Sequence, residues 1–125
     1  MVSIIDDDQS LRESIVDLVK AMGLEAQEFG QAEHFLRSDS IARTACLITD
    51  MRMPGMSGLE LHERLTAGNE AIPTIVITAF PKDDDRARAR RNGVVCYLAK
   101  PFDHNQLADC IASALERRAA SRRIP

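Results

Sequence analysis

Leu47-Ile48-Thr49-Asp50-Met51-Arg52-Met53-Pro54-Gly55-Met56-Ser57-Gly58-Leu59-Glu60-Leu61 passes from an apolar run to a single acid, and then through a turn into a helix. The run opens at Ala45 and stops at Asp50. Its short, unbroken apolarity suits a strand covered on both faces. Met, Pro and Gly crowd the turn from Met51 to Gly58. Ser57 and Glu60 then stand as a Ser-x-x-Glu capping box, which satisfies N–H groups that a helix start leaves unbonded. Leu61 and Leu65 share one face of that helix, and Gly68-Asn69 ends it. A buried strand, an acid at its carboxyl end and a following helix make one βα step.

The same step recurs on either side. Val2 to Ile5 is apolar and stops abruptly at Asp6; Leu11, Ile15, Leu18, Val19 and Met22 then form one helical stripe, closed by Gly23. Leu24 to Phe29 mixes polar and apolar residues as an edge strand does, and Gln31 to Arg37 carries Ala32, Phe35 and Leu36 on one helical face. Downstream, Ile72 to Thr78 and Val94 to Ala99 are apolar runs, the second ending at Lys100-Pro101. Pro73 does little harm so near a strand start. Asp103 and Gln106 form a second capping box before Leu107, Cys110, Ile111, Ala114 and Leu115, the clearest amphipathic helix in the chain. Strands alternating with helices imply βαβ units and a parallel sheet, and five of each fit 125 residues.

Composition narrows the function classes. Hydrophobic residues at 45% and charged residues at 28% are globular proportions. No apolar stretch approaches the roughly 20 residues of a membrane helix, and no basic-then-apolar leader suggests export. A net charge of −3 gives no overall basic surface for nucleic acid. The GxxxxGK[ST] and GxGxxG phosphate loops are absent. Cys46, Cys96 and Cys110 are odd in number and widely spaced, so they read as buried reduced thiols of a cytosolic protein. His34, His62 and His104 are isolated and read as surface residues, while Met51, Met53 and Met56 read as packing and lining at the turn.

In an open α/β sheet, ligands bind beyond the carboxyl ends of the strands. Those ends deliver Asp6, Asp7 and Asp8, then Asp50, Thr78 and Lys100. Singly, each has an ordinary reading: a solvated acidic turn or helix cap, a structural threonine, a surface lysine. Their coincidence at successive strand ends points to chemistry. Clustered carboxylates repel, and a divalent cation removes the conflict. Oxygen ligands without His or Cys suit a hard ion such as Mg²⁺. A metal, a lysine and a hydroxyl can surround a phosphoryl group, with Asp50 as the nucleophile that becomes an aspartyl phosphate.

IIDDDQSLR (4–12), LITDMRMPGMSGLEL (47–61), IPTIVITAF (72–80) and GVVCYLAKPF (93–102) together resemble the receiver domain of bacterial two-component response regulators, along essentially the whole chain. TDMRMPGMSG (49–58) is most similar to receivers of the nitrogen-fixation regulator type, which carry a helix-turn-helix output domain. The resemblance implies a single flavodoxin-like, doubly wound α/β domain of five βα units, with strand order 2-1-3-4-5. It implies a phospho-accepting switch rather than an enzyme, limited to self-directed phosphotransfer and autodephosphorylation. Asp50 matches the phosphorylated residue, which receives its phosphoryl group from a sensor histidine kinase. Asp6 and Asp7 match the acidic pair for Mg²⁺ or another divalent cation such as Mn²⁺, with Asp7 the direct ligand. Asp50 and the Arg52 backbone carbonyl complete that set. Thr78 matches the switch hydroxyl, Tyr97 the aromatic switch and Lys100 the phosphate-pairing lysine, in a Lys100-Pro101 bond that is cis in most such domains. Asp8 has no fixed role and reads as a helix cap.

The same resemblance sets expectations for the whole protein. Residues 1–118 form the receiver and 119–125 a basic tail or the start of a linker, with arginines at 117, 118, 122 and 123. The output is transcription, read from the face of the fourth helix and fifth strand. Phosphorylation-dependent homodimerisation is allowed, DNA is reached only through an output domain outside this chain, no membrane is involved, and the location is cytoplasmic. Two neighbouring functions compete. An aspartyl-phosphate hydrolase wants a second acid two residues after its nucleophile, where this chain has Arg52. A docking module that is never phosphorylated would not need its site residues intact. One departure stands out: the fourth helix, Lys82 to Asn92, has only Ala87 and Ala89 as apolar residues, with Arg90 where receivers place a large apolar one, and Phe80-Pro81 precedes it. Either this loop and helix are mobile or covered by a partner, or Ala87, Ala89 and the arginine stems pack adequately.

Overall fold

Apolar runs become strands here because their neighbours on both sides are apolar runs too. The computed structural model describes residues 1–123, with side chains described to Ala120. In chain order the elements are β1 Val2–Ile5, α1 Gln9–Ala21, β2 Ala26–Phe29, α2 Ala32–Arg37, a short 3₁₀ turn Ile41–Arg43, β3 Cys46–Asp50, α3 Gly58–Ala67, β4 Thr74–Thr78, α4 Asp83–Arg91, β5 Cys96–Ala99 and α5 His104–Arg123. All strand pairs are parallel and the order is β2-β1-β3-β4-β5, as the alternation and the family resemblance led us to expect. α5 takes in the expected tail as far as Arg123, while Ile124 and Pro125 lie outside the described residues.

Side chains alternate across each strand, and the core divides accordingly. Ile4, Ile48, Ile75 and Ile77 face α1 and α5, whose Val19, Leu107 and Ile111 are fully buried against them. Ile5 and Leu47 face the other way, against Phe35 of α2 and Leu61 and Leu65 of α3. The edge strand β2 is the most exposed, as its mixed sequence required. The helix starts use the caps read from sequence. Leu11 N–H donates to Asp8 Oδ1 at 3.2 Å, Glu60 N–H to Ser57 Oγ at 3.1 Å, and Asp103 N–H to Gln106 Oε1 at 3.1 Å.

α4 resolves its two readings only in part. Ala89 is buried with Met51, Leu59, Val76 and Val94, so one small side chain seats the helix. Ala87 and Arg90 are exposed and contribute nothing to that core. The rest of the attachment is polar: the Arg88 guanidinium forks onto the Glu63 carboxylate of α3, and Asn92 Nδ2 donates to the same group. Those bonds hold the Glu63 carboxyl below its ordinary range, Arg88 being the main cause.

Two readings are corrected. His62 is not at the surface. It is buried, with Nδ1 2.9 Å from Thr74 Oγ1 and Nε2 3.0 Å from the Asn92 carbonyl, because the inner face of α3 turns it towards β4 and the end of α4. His34 and His104 are exposed. Nor are all three cysteines reduced thiols: Cys96 and Cys110 are joined as a disulfide, with Cα atoms 6.1 Å apart, within bridging reach. The turn from β5 into α5 brings together residues separated by 14 in sequence, which spacing alone does not reveal. Cys46 is free and buried, and desolvation pushes its thiol up to about 12.

Candidate functional site

Strand order reverses between β1 and its neighbours, so the carboxyl ends of β1 and β3 open onto one crevice. Asp6 follows β1 directly and Asp50 is the last residue of β3. Ligand oxygens of Asp6, Asp7 and Asp50 all lie within 4.8 Å of one another. Asp6 and Asp50 are buried, whereas Asp7 is exposed at the rim. Lys100, just after β5, reaches over β4 to place Nζ 3.3 Å from Asp50 Oδ1 and 3.5 Å from Asp6 Oδ2. Residues 94 apart in sequence thus share one ion pair. Asp8 N–H donates to Asp6 Oδ1 at 2.9 Å, fixing that carboxylate's orientation.

Burial raises the Asp6 and Asp50 carboxyls above their ordinary values, outweighing the opposing pull of Lys100. Asp50 adds repulsion to Asp6, and Asp7 adds it to Asp50. Three acids facing one lysine are under-neutralised. Such a set fits a hard, oxygen-seeking divalent cation.

The chain after Asp50 turns away sharply. Met51 N–H bonds the Ile77 carbonyl at 2.6 Å and Gly58 N–H bonds the Met51 carbonyl at 3.0 Å, closing the loop back on its own start. A Cβ on Gly58 would sit 2.6 Å from the Asp50 carbonyl oxygen, so only glycine lets α3 begin this close to β3. Met51 is buried, while Met53 and Met56 are half-buried and line a trough of about 540 Å³ with Arg52, Lys82 and Asp85. The Arg52 backbone is the second residue of this loop; its guanidinium is exposed and lies 6.0 Å over the Phe80 ring.

The structure gathers Asp6, Asp7, Asp50 and Lys100, and sets Thr78 nearby at the end of β4. Thr78 is fully buried, and its hydroxyl accepts from Phe80 N–H at 3.1 Å. Tyr97 is not gathered into the cluster. Its hydroxyl accepts from Lys82 N–H at 3.3 Å, and the Arg86 guanidinium lies 4.9 Å from its ring centroid. Sequence reasoning missed Arg86 and Gly58. Nothing local marks Arg86 as a partner of Tyr97, whereas a glycine opening a capped helix is a visible signal. The Lys100-Pro101 bond is cis, as the resemblance suggested. Among the described residues no helix is long and apolar enough to cross a membrane.

Comparison with known proteins supplies the context. The family model described as the response regulator receiver domain matches residues 2–112. Nodulation protein W of Bradyrhizobium diazoefficiens is 38% identical over 117 residues, covering 94% of this chain and 52% of that protein. The transcriptional regulatory protein FixJ of Azorhizobium caulinodans is 35% identical over 118 residues, covering 94% of this chain and 56% of that protein. A solved structure of the response regulator StyR superposes with a TM-score of 0.90 at 40% identity, covering 98% of this chain and 62% of that one. The chain spans about half the length of the curated relatives it matches. On this match of sequence, fold and strand-end geometry, the chain belongs to the receiver-domain family of two-component response regulators.

Proposed function

We propose that this domain accepts a phosphoryl group on Asp50 from the phosphohistidine of a sensor kinase and passes the change to an output that regulates transcription. The observation that carries the reading is the meeting of Asp6, Asp7 and Asp50 within 4.8 Å, with the Lys100 ammonium against two of them. The Asp6, Asp7 and Asp50 carboxylates and the Arg52 carbonyl would hold Mg²⁺, or Mn²⁺ in its place. When bound, the cation supplies positive charge that neutralises the acids and the phosphoryl oxygens.

The chain's own residues do the rest. Asp50 presents a carboxylate oxygen to phosphorus, and the bond to the donor nitrogen breaks as the new P–O bond forms. Lys100, already 3.3 Å from Asp50 Oδ1, holds a cation where negative charge gathers. The Thr78 hydroxyl accepts from Phe80 N–H, which leaves its own proton to donate to a phosphoryl oxygen. Each charge-assisted bond is worth roughly 1.5–3 kcal/mol. Reversing a 1:99 equilibrium takes about 5.5 kcal/mol. Two or three such contacts, from Thr78, Lys100 and a backbone N–H, have the size needed to move the β4–α4 loop and Tyr97 with it.

We read residues 1–118 as the receiver unit and 119–125 as a basic approach to an output domain. The matched relative named as a transcriptional regulator supports transcription as that output. We also take the location to be cytoplasmic, and a phosphorylation-dependent homodimer to be compatible with the α4–β5 face. The test is acetyl phosphate with Mg²⁺, read by intact mass. One persistent phosphoryl group, lost in Asp50→Asn, is the expected result. Continuous turnover of acetyl phosphate would make the domain a hydrolase, and an unchanged mass would make it a docking module.

A further inference from the structure

We infer that Cys96 and Cys110 form a reversible thiol–disulfide site, oxidised by a hydroperoxide, that clamps β5 to α5 beside Tyr97. This goes beyond the Asp50 reading and does not depend on it.

The two backbones are already in place: Cα to Cα is 6.1 Å, inside the span a disulfide bridges without backbone movement. The two residues differ in exposure. Cys110 is buried in the core between the sheet and α5, whereas Cys96 is half-buried and opens onto a cavity of about 330 Å³. Arg86, Arg90 and Arg117 line that cavity. Cys46 has no such exposure: it is fully buried in the sheet, where burial keeps its thiol neutral. The fold also has no need of a staple, because a domain of 125 residues with this core is large enough to stand without one.

The chemistry balances without a further reactant. The Cys96 thiolate attacks one peroxide oxygen; the O–O bond breaks, the alkoxide (hydroxide from hydrogen peroxide) leaves and takes up the proton the thiol released to solvent, and Cys96 becomes a sulfenic acid. The Cys110 sulfur then attacks the Cys96 sulfur, the S–O bond breaks, and water departs with the Cys110 proton. Two thiols lose two electrons and the peroxide bond gains them. A dithiol reverses the step by exchange. The new bond ties the strand that carries Tyr97 to a helix packed on the opposite side from α4.

The full chain, reduced with dithiothreitol and desalted, is treated with hydrogen peroxide, then alkylated in denaturant and weighed. The expected result is three alkyl groups before treatment and one after, the remaining one on Cys46, with dithiothreitol restoring all three. Amides of β5 should exchange about tenfold more slowly in the oxidised protein. Cys110→Ala, which separates this effect from methionine oxidation, should lose both the paired disappearance of thiols and the slowed exchange. Three alkyl groups persisting after peroxide, or β5 exchange equal in the two redox forms, would overturn the proposal.

Discussion

The Lys100 ammonium stands 3.3 Å from Asp50 Oδ1 and is the one cation ion-paired to the acidic cluster among the described residues. It partly offsets the charge of Asp6, Asp7 and Asp50, and both carboxylates it touches are buried. Lys100→Met keeps the stem and removes the charge. Leaving buried carboxylates unpaired is costly, so this variant should be less stable by about 3 kcal/mol at neutral pH without divalent cation. Mg²⁺ should restore more stability to it than to the parent. Urea unfolding in chelator and in Mg²⁺ measures both; an equal response to Mg²⁺ would show that lysine and cation do not act on the same charges.

The raised Asp6 and Asp50 carboxyls set the direction of the pH dependence. A folded carboxyl that titrates above its unfolded value binds more protons in the folded state, so its contribution is present at low pH and is lost as pH rises through the folded value. The metal-free protein should therefore lose stability between the ordinary carboxylate range and the raised one, and then level off. Desolvation is the first cause at both residues. Asp50→Asn removes one of the buried charges and should flatten that decline. The stabilisation given by Mg²⁺ should follow the opposite course, larger at pH 7.5 than at pH 5, since protonated acids do not bind it. Thermal unfolding of parent and variant in chelator and in Mg²⁺ across this range measures each slope.

The sequence announces strand ends more clearly than the contacts between helices. Asp6, Asp50, Thr78 and Lys100 could be placed because each follows an apolar run, and a parallel sheet puts all such ends on one edge. The caps at Asp8, Ser57 and Asp103 were legible for a similar reason, since each bond spans only two or three residues. His62 was not legible. Its partners Thr74 and Asn92 lie 12 and 30 residues away, and a histidine on a helix looks the same in either orientation. The Cys96–Cys110 pair failed for want of a geometry linking β5 to α5. The Arg86–Tyr97 stacking needs the path of the β4–α4 loop, which Phe80-Pro81 leaves open in sequence.

α4 offers a pair of substitutions with opposite expectations. Ala89 is buried at 2% exposure and Ala87 is exposed, two residues apart on one helix. Ala89→Leu forces extra methylenes between Met51, Leu59 and Val76. It should cost about 1–3 kcal/mol and should disturb the loop that begins at Met51. Ala87→Leu should stay within about 0.5 kcal/mol, as surface changes do. Chemical denaturation separates the two, and equal costs would mean that α4 is seated by some other face.

His62 carries the last test. The Asn92 carbonyl can only accept, so Nε2 must donate to it, and Asn92 N–H in turn closes α4 on the Arg88 carbonyl at 3.0 Å. On the other side of the ring Thr74 Oγ1 sits between Nδ1 and the Ile72 carbonyl, 2.8 Å away. One imidazole therefore joins α3, β4 and the end of α4. His62→Leu fills similar space but leaves the Asn92 carbonyl without this donor, and should cost about 2–3 kcal/mol. His34→Leu, at an exposed position, should change stability by less than about 0.5 kcal/mol. Hydrogen exchange gives the sharper readout. If His62 holds the end of α4, the amides of Arg91, Asn92 and Gly93 open first in His62→Leu, while β1 and β3 keep their protection. A uniform loss of protection across the sheet would mean that the ring serves only as core volume.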